Sequence, residues 1–151
     1  MALQKVGIKV QKLSHYQGEA PSYQSLLASG FDVRAQIDSA VSLAPGAKVM
    51  IPTALSFEVP AGYEIQARPR SGLAAKHGLT VLNTPGTIDA DYRGEVKIIL
   101  INLGAETFVI QPGERVAQLV LAPVVQAEFQ WAESLNTTDR GVGGFGSTGV
   151  L

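Results

Sequence analysis

Apolar residues in this chain recur at every second position in short runs, and glycine or proline breaks each run after a few residues. Val6, Ile8 and Val10 alternate with Gly7 and Lys9. Leu55, Phe57 and Val59 alternate with Ser56 and Glu58, and Val125, Ala127, Phe129 and Trp131 with Gln126, Glu128 and Gln130. Successive side chains of a strand point to opposite faces, so each run predicts a half-buried strand. Denser apolar runs at Val96 to Leu103, Thr107 to Ile110 and Val116 to Val124 predict more deeply buried strands. Val49-Met50-Ile51 and Tyr63-Glu64-Ile65 predict two shorter ones. Turn signals at Pro45-Gly46, Pro60-Ala61-Gly62, Pro85-Gly86 and Pro112-Gly113 separate them. The best helix candidate is short, beginning near Ser71 and covering Leu73 to His77. Many short strands between tight turns leave a sandwich, a jelly roll or a small barrel, all of them all-β.

Composition narrows the function classes. A chain of 151 residues fits one domain and can bury a core without staples. It has no cysteine, which excludes disulfides, zinc-thiolate sites and a thiol nucleophile. Twelve Lys and Arg against 13 Asp and Glu give a net charge of −1. No overall field draws such a chain onto nucleic acid or an acidic membrane. No apolar stretch approaches the roughly 18 residues of a membrane helix. The segment Met1 to Val6 lacks the apolar core of a signal peptide, so a soluble, cytoplasmic protein is expected. Glycine at 141, 143, 144, 146 and 149 gives the C-terminal stretch high backbone entropy and little to bury. The expected organisation is a single all-β domain over 1–139 and a mobile arm over 140–151.

Four segments hold polar groups that a bare β-scaffold does not need. Arg68-Pro69-Arg70-Ser71-Gly72-Leu73 sets arginines and a hydroxyl beside a possible helix start, which makes either an anion site or a solvated turn. Asn83 to Glu95 reads as a hairpin with a turn-rich centre. Within it Asp89 and Asp91 share one side of an extended chain, suited to a metal, to acid and base duties, or to a plain acidic turn. Gly113-Glu114-Arg115-Val116-Ala117-Gln118-Leu119 opens a strand and by itself says little. Arg140 to Gly149 nearly matches a phosphate loop from Gly141, but Ser147 stands where that loop needs lysine, and no strand-loop-helix context surrounds it. The P-loop reading is therefore rejected, although glycine amides with Arg140, Ser147 and Thr148 can still wrap phosphate oxygens.

Taken in order, these segments resemble the five motifs of the trimeric dUTPase family. The motifs are Ala28-Ser29-Gly30-Phe31-Asp32-Val33-Arg34-Ala35, Arg70-Ser71-Gly72-Leu73-Ala74, Gly86-Thr87-Ile88-Asp89-Ala90-Asp91-Tyr92-Arg93-Gly94, Gly113 to Leu119, and Arg140 to Gly149. They span residues 28 to 149. The resemblance implies a jelly-roll-like β-barrel subunit with one short helix, a homotrimer with shared active sites, and a flexible glycine-rich C-terminal arm that closes over a site. It also implies hydrolysis of dUTP to dUMP and pyrophosphate by water attack on the α-phosphate, which limits uracil in DNA and supplies dUMP for dTMP synthesis. The period-two segment near Phe129 and Trp131 would cross to a neighbouring subunit.

Residue roles follow by the same resemblance. Asp89 is similar to the general base that activates water. Tyr92 is similar to the ring under the deoxyribose that excludes a 2′-hydroxyl. Asn83 and the segment from Thr87 and Ile88 to Lys97 resemble the uracil pocket, whose backbone donors and acceptors match the uracil edge. Arg70, Ser71, Gly72 and Gln118 resemble phosphate contacts. Phe145 resembles the arm aromatic that stacks on uracil, with Arg140, Gly146, Ser147 and Thr148 around the phosphates. Asp32 resembles an aspartate linked to Mg²⁺ through water, without a cage of direct protein ligands. Phe31 stands where tyrosine is common in the family. The related dCTP deaminase pattern has serine in place of Gly72 and an arginine soon after, and Gly72-Leu73-Ala74-Ala75 does not match it.

Overall fold

The computed structural model describes residues 3–145. Among them the chain forms eleven strands and one helix. The strands are β1 (Lys9–Lys12), β2 (Gly30–Arg34), β3 (Val41–Leu43), β4 (Lys48–Pro52), β5 (Leu55–Glu58), β6 (Tyr63–Arg68), β7 (Leu79–Val81), β8 (Gly86–Ile88), β9 (Lys97–Asn102), β10 (Phe108–Ile110) and β11 (Arg115–Pro123). The helix, α1 (Ser71–His77), lies where the sequence places it. Every strand pairing is antiparallel. The strands form sheets ordered β2-β11-β6-β8 and β4-β9-β7, with two-stranded pairs β1-β5 and β10-β3.

The all-β expectation holds, and the alternation rule explains its core. In β6 Ile65 and Ala67 are buried between less buried neighbours, and in β9 the same rhythm buries Ile98, Leu100 and Asn102. β11, central in its sheet, buries Val116, Ala117, Leu119 and Val120, as its dense apolar run predicts. Its register against β2 shifts between Arg115 and Ala117. Asn102 is fully buried, and its side chain is fully used: Nδ2 donates to the Leu43 and Glu106 carbonyls at 2.8 Å each, and Oδ1 accepts from the Gly104 N–H at 2.9 Å. It thereby ties the three-stranded sheet to β3.

Three sequence expectations are corrected, the first being the run from Val6 to Val10, which becomes strand only from Lys9 and is exposed throughout β1. Asn83 to Glu95 is not a hairpin: β8 pairs with β6, whereas β9 pairs with β4 and β7, so this segment crosses from one sheet to another. The chain turns there, with the Tyr92 N–H donating to the Asp89 carbonyl, so Asp89 and Asp91 are not alternate residues of an extended strand. Nor do Val125 to Trp131 form a half-buried strand within this chain. Val125, Phe129 and Trp131 are exposed at 95%, 89% and 102%. A lone apolar stripe becomes a strand only where another strand pairs with it, and among the described residues none does so.

Candidate active site

The four-stranded sheet β2-β11-β6-β8 positions most of the polar residues that the sequence singles out. Cross-strand partners share a face of a sheet. Asp32 on β2 is opposite Gln118 on β11, and Gln118 is opposite Arg68 on β6. Gln66, two residues before Arg68, is opposite Thr87 on β8. These side chains occupy the outer face, since Val33, Ala67, Leu119 and Ile88 between them are buried. Adjacent strands lie about 4.8 Å apart. The outer face is itself hydrogen-bonded along β6, with Gln66 donating to Glu64 Oε1 and accepting from Arg68 Nη2, both at 2.6 Å.

At one end of this face two guanidinium groups hold Asp32. Arg115 Nη1 lies 3.1 Å from Asp32 Oδ2 and Arg70 Nε 3.4 Å from Oδ1. Arg70 also donates to the Arg115 carbonyl at 3.0 Å, and Gln118 donates to the Pro69 carbonyl at 2.9 Å. Side-chain exposures of 18% for Asp32 and 28% for Arg70 leave the group open to one side. Here the chain enters α1. Arg70 is its N-cap, extended at φ −87° and ψ 125° without a side-chain cap, and Ser71 and Gly72 follow in the exposed first turn. The first N–H groups of a helix have no intrahelical partner, so they remain available to an anion. Two cations around one carboxylate leave a net positive local charge, suited to phosphate oxygens.

At the far edge of the sheet the chain leaves β8 and lines a cavity of about 500 Å³. Thr87, Ile88, Asp89, Tyr92, Glu95 and Lys97 contribute to its wall, with Met50 and Ile99 as an apolar side. Asp89 is exposed, so its carboxylate is accessible to water and ligand. The Tyr92 hydroxyl donates to the Glu95 carbonyl at 3.1 Å. A Cβ on Gly94 would lie 2.5 Å from Tyr92 Cζ, so glycine at that position is what lets the ring lie against the backbone. Asn83 sits in the β7-β8 turn outside the set lining this cavity, with its amide beside Gly86.

Of the expected residues, the structure therefore gathers Thr87, Ile88, Asp89, Tyr92 and Lys97 in one cavity, and Asp32, Arg70 and Gln118 in one polar cluster with Ser71 and Gly72 beside it. Among the described residues, Asp32, Arg70 and Gln118 do not line the cavity that holds Asp89 and Tyr92. Arg140 lies in an exposed turn with Nε donating to the Gly143 carbonyl at 2.8 Å, and Phe145 is fully exposed. Gly146, Ser147 and Thr148 lie outside the described residues. Sequence reasoning missed Arg115 as the partner of Asp32, and Glu95 as a cavity side chain bonded to His15. Their partners are 83 and 80 residues away, and no local pattern marks such pairs.

Comparison with known proteins identifies the family. The dUTPase family model matches residues 16–149. The deoxyuridine 5'-triphosphate nucleotidohydrolase of Bdellovibrio bacteriovorus is 67% identical over 147 residues, covering 97% of this chain and 99% of that protein. That of Sinorhizobium medicae is 54% identical, covering 92% of this chain and 89% of that protein. A Staphylococcus bacteriophage 80alpha dUTPase solved with dUpNHpp superposes with a TM-score of 0.81 at 28% identity, over 97% of this chain and all of that one. A mutant of the same phage enzyme, also with dUpNHpp, gives 0.84 at 26%. The likeness extends to the jelly-roll-like β fold. With the family model spanning most of its length and relatives this similar along nearly all of it, the chain belongs to the dUTPase family.

Proposed function

We infer that this chain is a hydrolase that converts dUTP to dUMP and pyrophosphate. The observation that carries the reading is the joining, by one sheet, of a cavity edged by Asp89 and Tyr92 to a cluster of Arg70, Arg115 and Gln118. The nucleoside occupies the cavity, where the backbone from Thr87 to Lys97, aided by Asn83, reads the uracil edge. Tyr92 packs under the deoxyribose and leaves no space for a 2′-hydroxyl. Asp89 takes a proton from the water that attacks the α-phosphorus, a role worth roughly 10²- to 10⁴-fold in rate. Arg70, Gln118 and the N–H groups at Ser71 and Gly72 bind the phosphates and stabilise charge as the pyrophosphate leaves.

The donor set around Asp32 suits Mg²⁺ only through water. It offers one hard carboxylate whose two oxygens already face guanidinium groups, which fits a hydrated ion carried by the triphosphate and touched through water. When bound, the ion neutralises charge on the pyrophosphate.

The working unit in this reading is a homotrimer in a cytoplasmic setting. Two features support assembly: among the described residues, Asp32, Arg70 and Gln118 do not line the cavity that holds Asp89 and Tyr92, and the stripe ending at Phe129 and Trp131 is exposed. Residues 140–151 then act as an arm that brings Arg140, Phe145, Gly146, Ser147 and Thr148 over a site and excludes water. The reading is tested by Asp89→Asn, which should still bind dUpNHpp in a calorimeter while turnover falls by at least about 10²-fold. Near-normal turnover in that variant would contradict the role of Asp89.

A further inference from the structure

We propose that Glu95 is a positioning residue for the substrate cavity, acting through Ala54 and Tyr92. The proposal rests on the dUTP reading above and gives this side chain a part in it. Four interactions meet at Glu95. Its Oε1 accepts the Ala54 N–H at 2.9 Å and lies 3.0 Å from His15 Nε2. Lys97 Nζ is 3.7 Å from Oε2. Its main-chain carbonyl accepts the Tyr92 hydroxyl at 3.1 Å. The carboxylate is largely covered, at 16% side-chain exposure, so Lys97, the His15 ring and that amide face it in a partly dry setting where they count for more.

Ala54 explains why the carboxylate is needed. It is fully buried and sits at φ 52°, the left-handed region that alanine disfavours. Its buried N–H needs an acceptor, and Glu95 supplies it. The neighbouring backbone is stapled as well: the Val96 N–H donates to the Leu55 carbonyl at 2.8 Å, and Thr53 Oγ1 to the Val96 carbonyl at 2.6 Å. The Glu95 side chain thus fixes the rim against the buried Thr53-Ala54-Leu55 strip, while the Glu95 carbonyl fixes the Tyr92 ring. If the carboxylate lets go, the rim and the ring move together, and the fit to deoxyribose loosens.

The experiment is steady-state kinetics with dUTP and UTP, with thermal unfolding alongside, on the wild type, Glu95→Ala, Glu95→Gln and the double variant Glu95→Ala with Ala54→Gly. Glycine accepts φ 52° without strain, so the double variant recovers stability without recovering the carboxylate. Glu95→Ala is expected to raise KM for dUTP about tenfold with kcat within about threefold, and to narrow the preference for dUTP over UTP about tenfold. Glu95→Gln keeps an oxygen for the Ala54 N–H and should restore both. The double variant should regain Tm but not KM. Unchanged KM and preference in the alanine variant, or recovery of KM together with Tm in the double variant, would overturn the proposal. If Glu95→Ala fails to fold, the double variant carries the same comparison, and failure of that one too would make Glu95 a folding residue and defeat the idea. Absence of dUTP hydrolysis in the wild type would defeat the dUTP reading itself.

Discussion

Single side chains in this molecule do their work through partners distant in sequence. Asp32 is meaningful because Arg115, 83 residues later, faces it across the β2-β11 pairing. The aspartate was legible as a candidate from its motif, but its partner was not, because register is a property of the folded sheet. Asn102 makes the same point about stability. Nothing in the run from Val96 to Leu103 marks it as buried, yet it satisfies the Leu43 carbonyl in the core and, nearer the surface, the Glu106 carbonyl and the Gly104 amide. Replacing it with alanine removes all three bonds, one of them buried. Asn102→Ala is expected to lose about 3 kcal/mol in denaturant unfolding. A loss below about 1 kcal/mol would mean that the orphaned groups find other partners.

Elements that a local pattern defines were the legible ones. The helix at Ser71–His77 and the strands β5, β9, β10 and β11 lie where the apolar rhythm puts them. The three-residue strands β3, β7 and β8 carry too few residues for a period to register, whereas the equally short β10 is marked by its unbroken apolar run Phe108-Val109-Ile110. The false hairpin at 83–95 arose because a turn between apolar runs does not say which strands pair. Helix α1 shows how an element end is set: Gly78 closes it at φ 68° and donates to the Ala74 carbonyl. A Cβ there would lie 2.5 Å from the Gly104 N. Gly78→Ala should therefore cost more than about 1 kcal/mol, read as a fall in Tm. An unchanged Tm would show that the loop at Gly104 yields freely.

At the edge of the sheet pair β1-β5, Lys9 Nζ lies 2.8 Å from Glu58 Oε1. The hydrogen bond and the charge of Lys9 hold the Glu58 carboxyl below its ordinary pKa. A lowered folded pKa adds stability above the unfolded value of 4.5 and loses it as pH falls through the folded value. Both groups are exposed, so the contribution is small and screened by salt. Glu58→Gln should thus lower Tm slightly at neutral pH and not at all well below the carboxylate range. A difference that persists in acid would assign Glu58 a role beyond this pair.

At the scale of the whole molecule, the stripe from Val125 to Trp131 is apolar surface that the described residues leave uncovered. The sequence carries a period-two signal there, but among the described residues no strand pairs with it and no half-buried strand forms. The proposed trimer supplies a strand to pair with it. Replacing Phe129 and Trp131 together with serine should shift sedimentation from trimer toward monomer, while removing 140–151 should leave the trimer intact and cut kcat severely. Loss of assembly on removing the arm would make the arm structural. Hydrolysis of dUTP at a site that reads both base and sugar is checked by pyrophosphate release from dUTP, UTP, dCTP and dTTP, each with Mg²⁺ and then with EDTA. Fast release from dUTP alone, weakened by EDTA, is expected; equal release from UTP or dCTP, or none from dUTP, would contradict it.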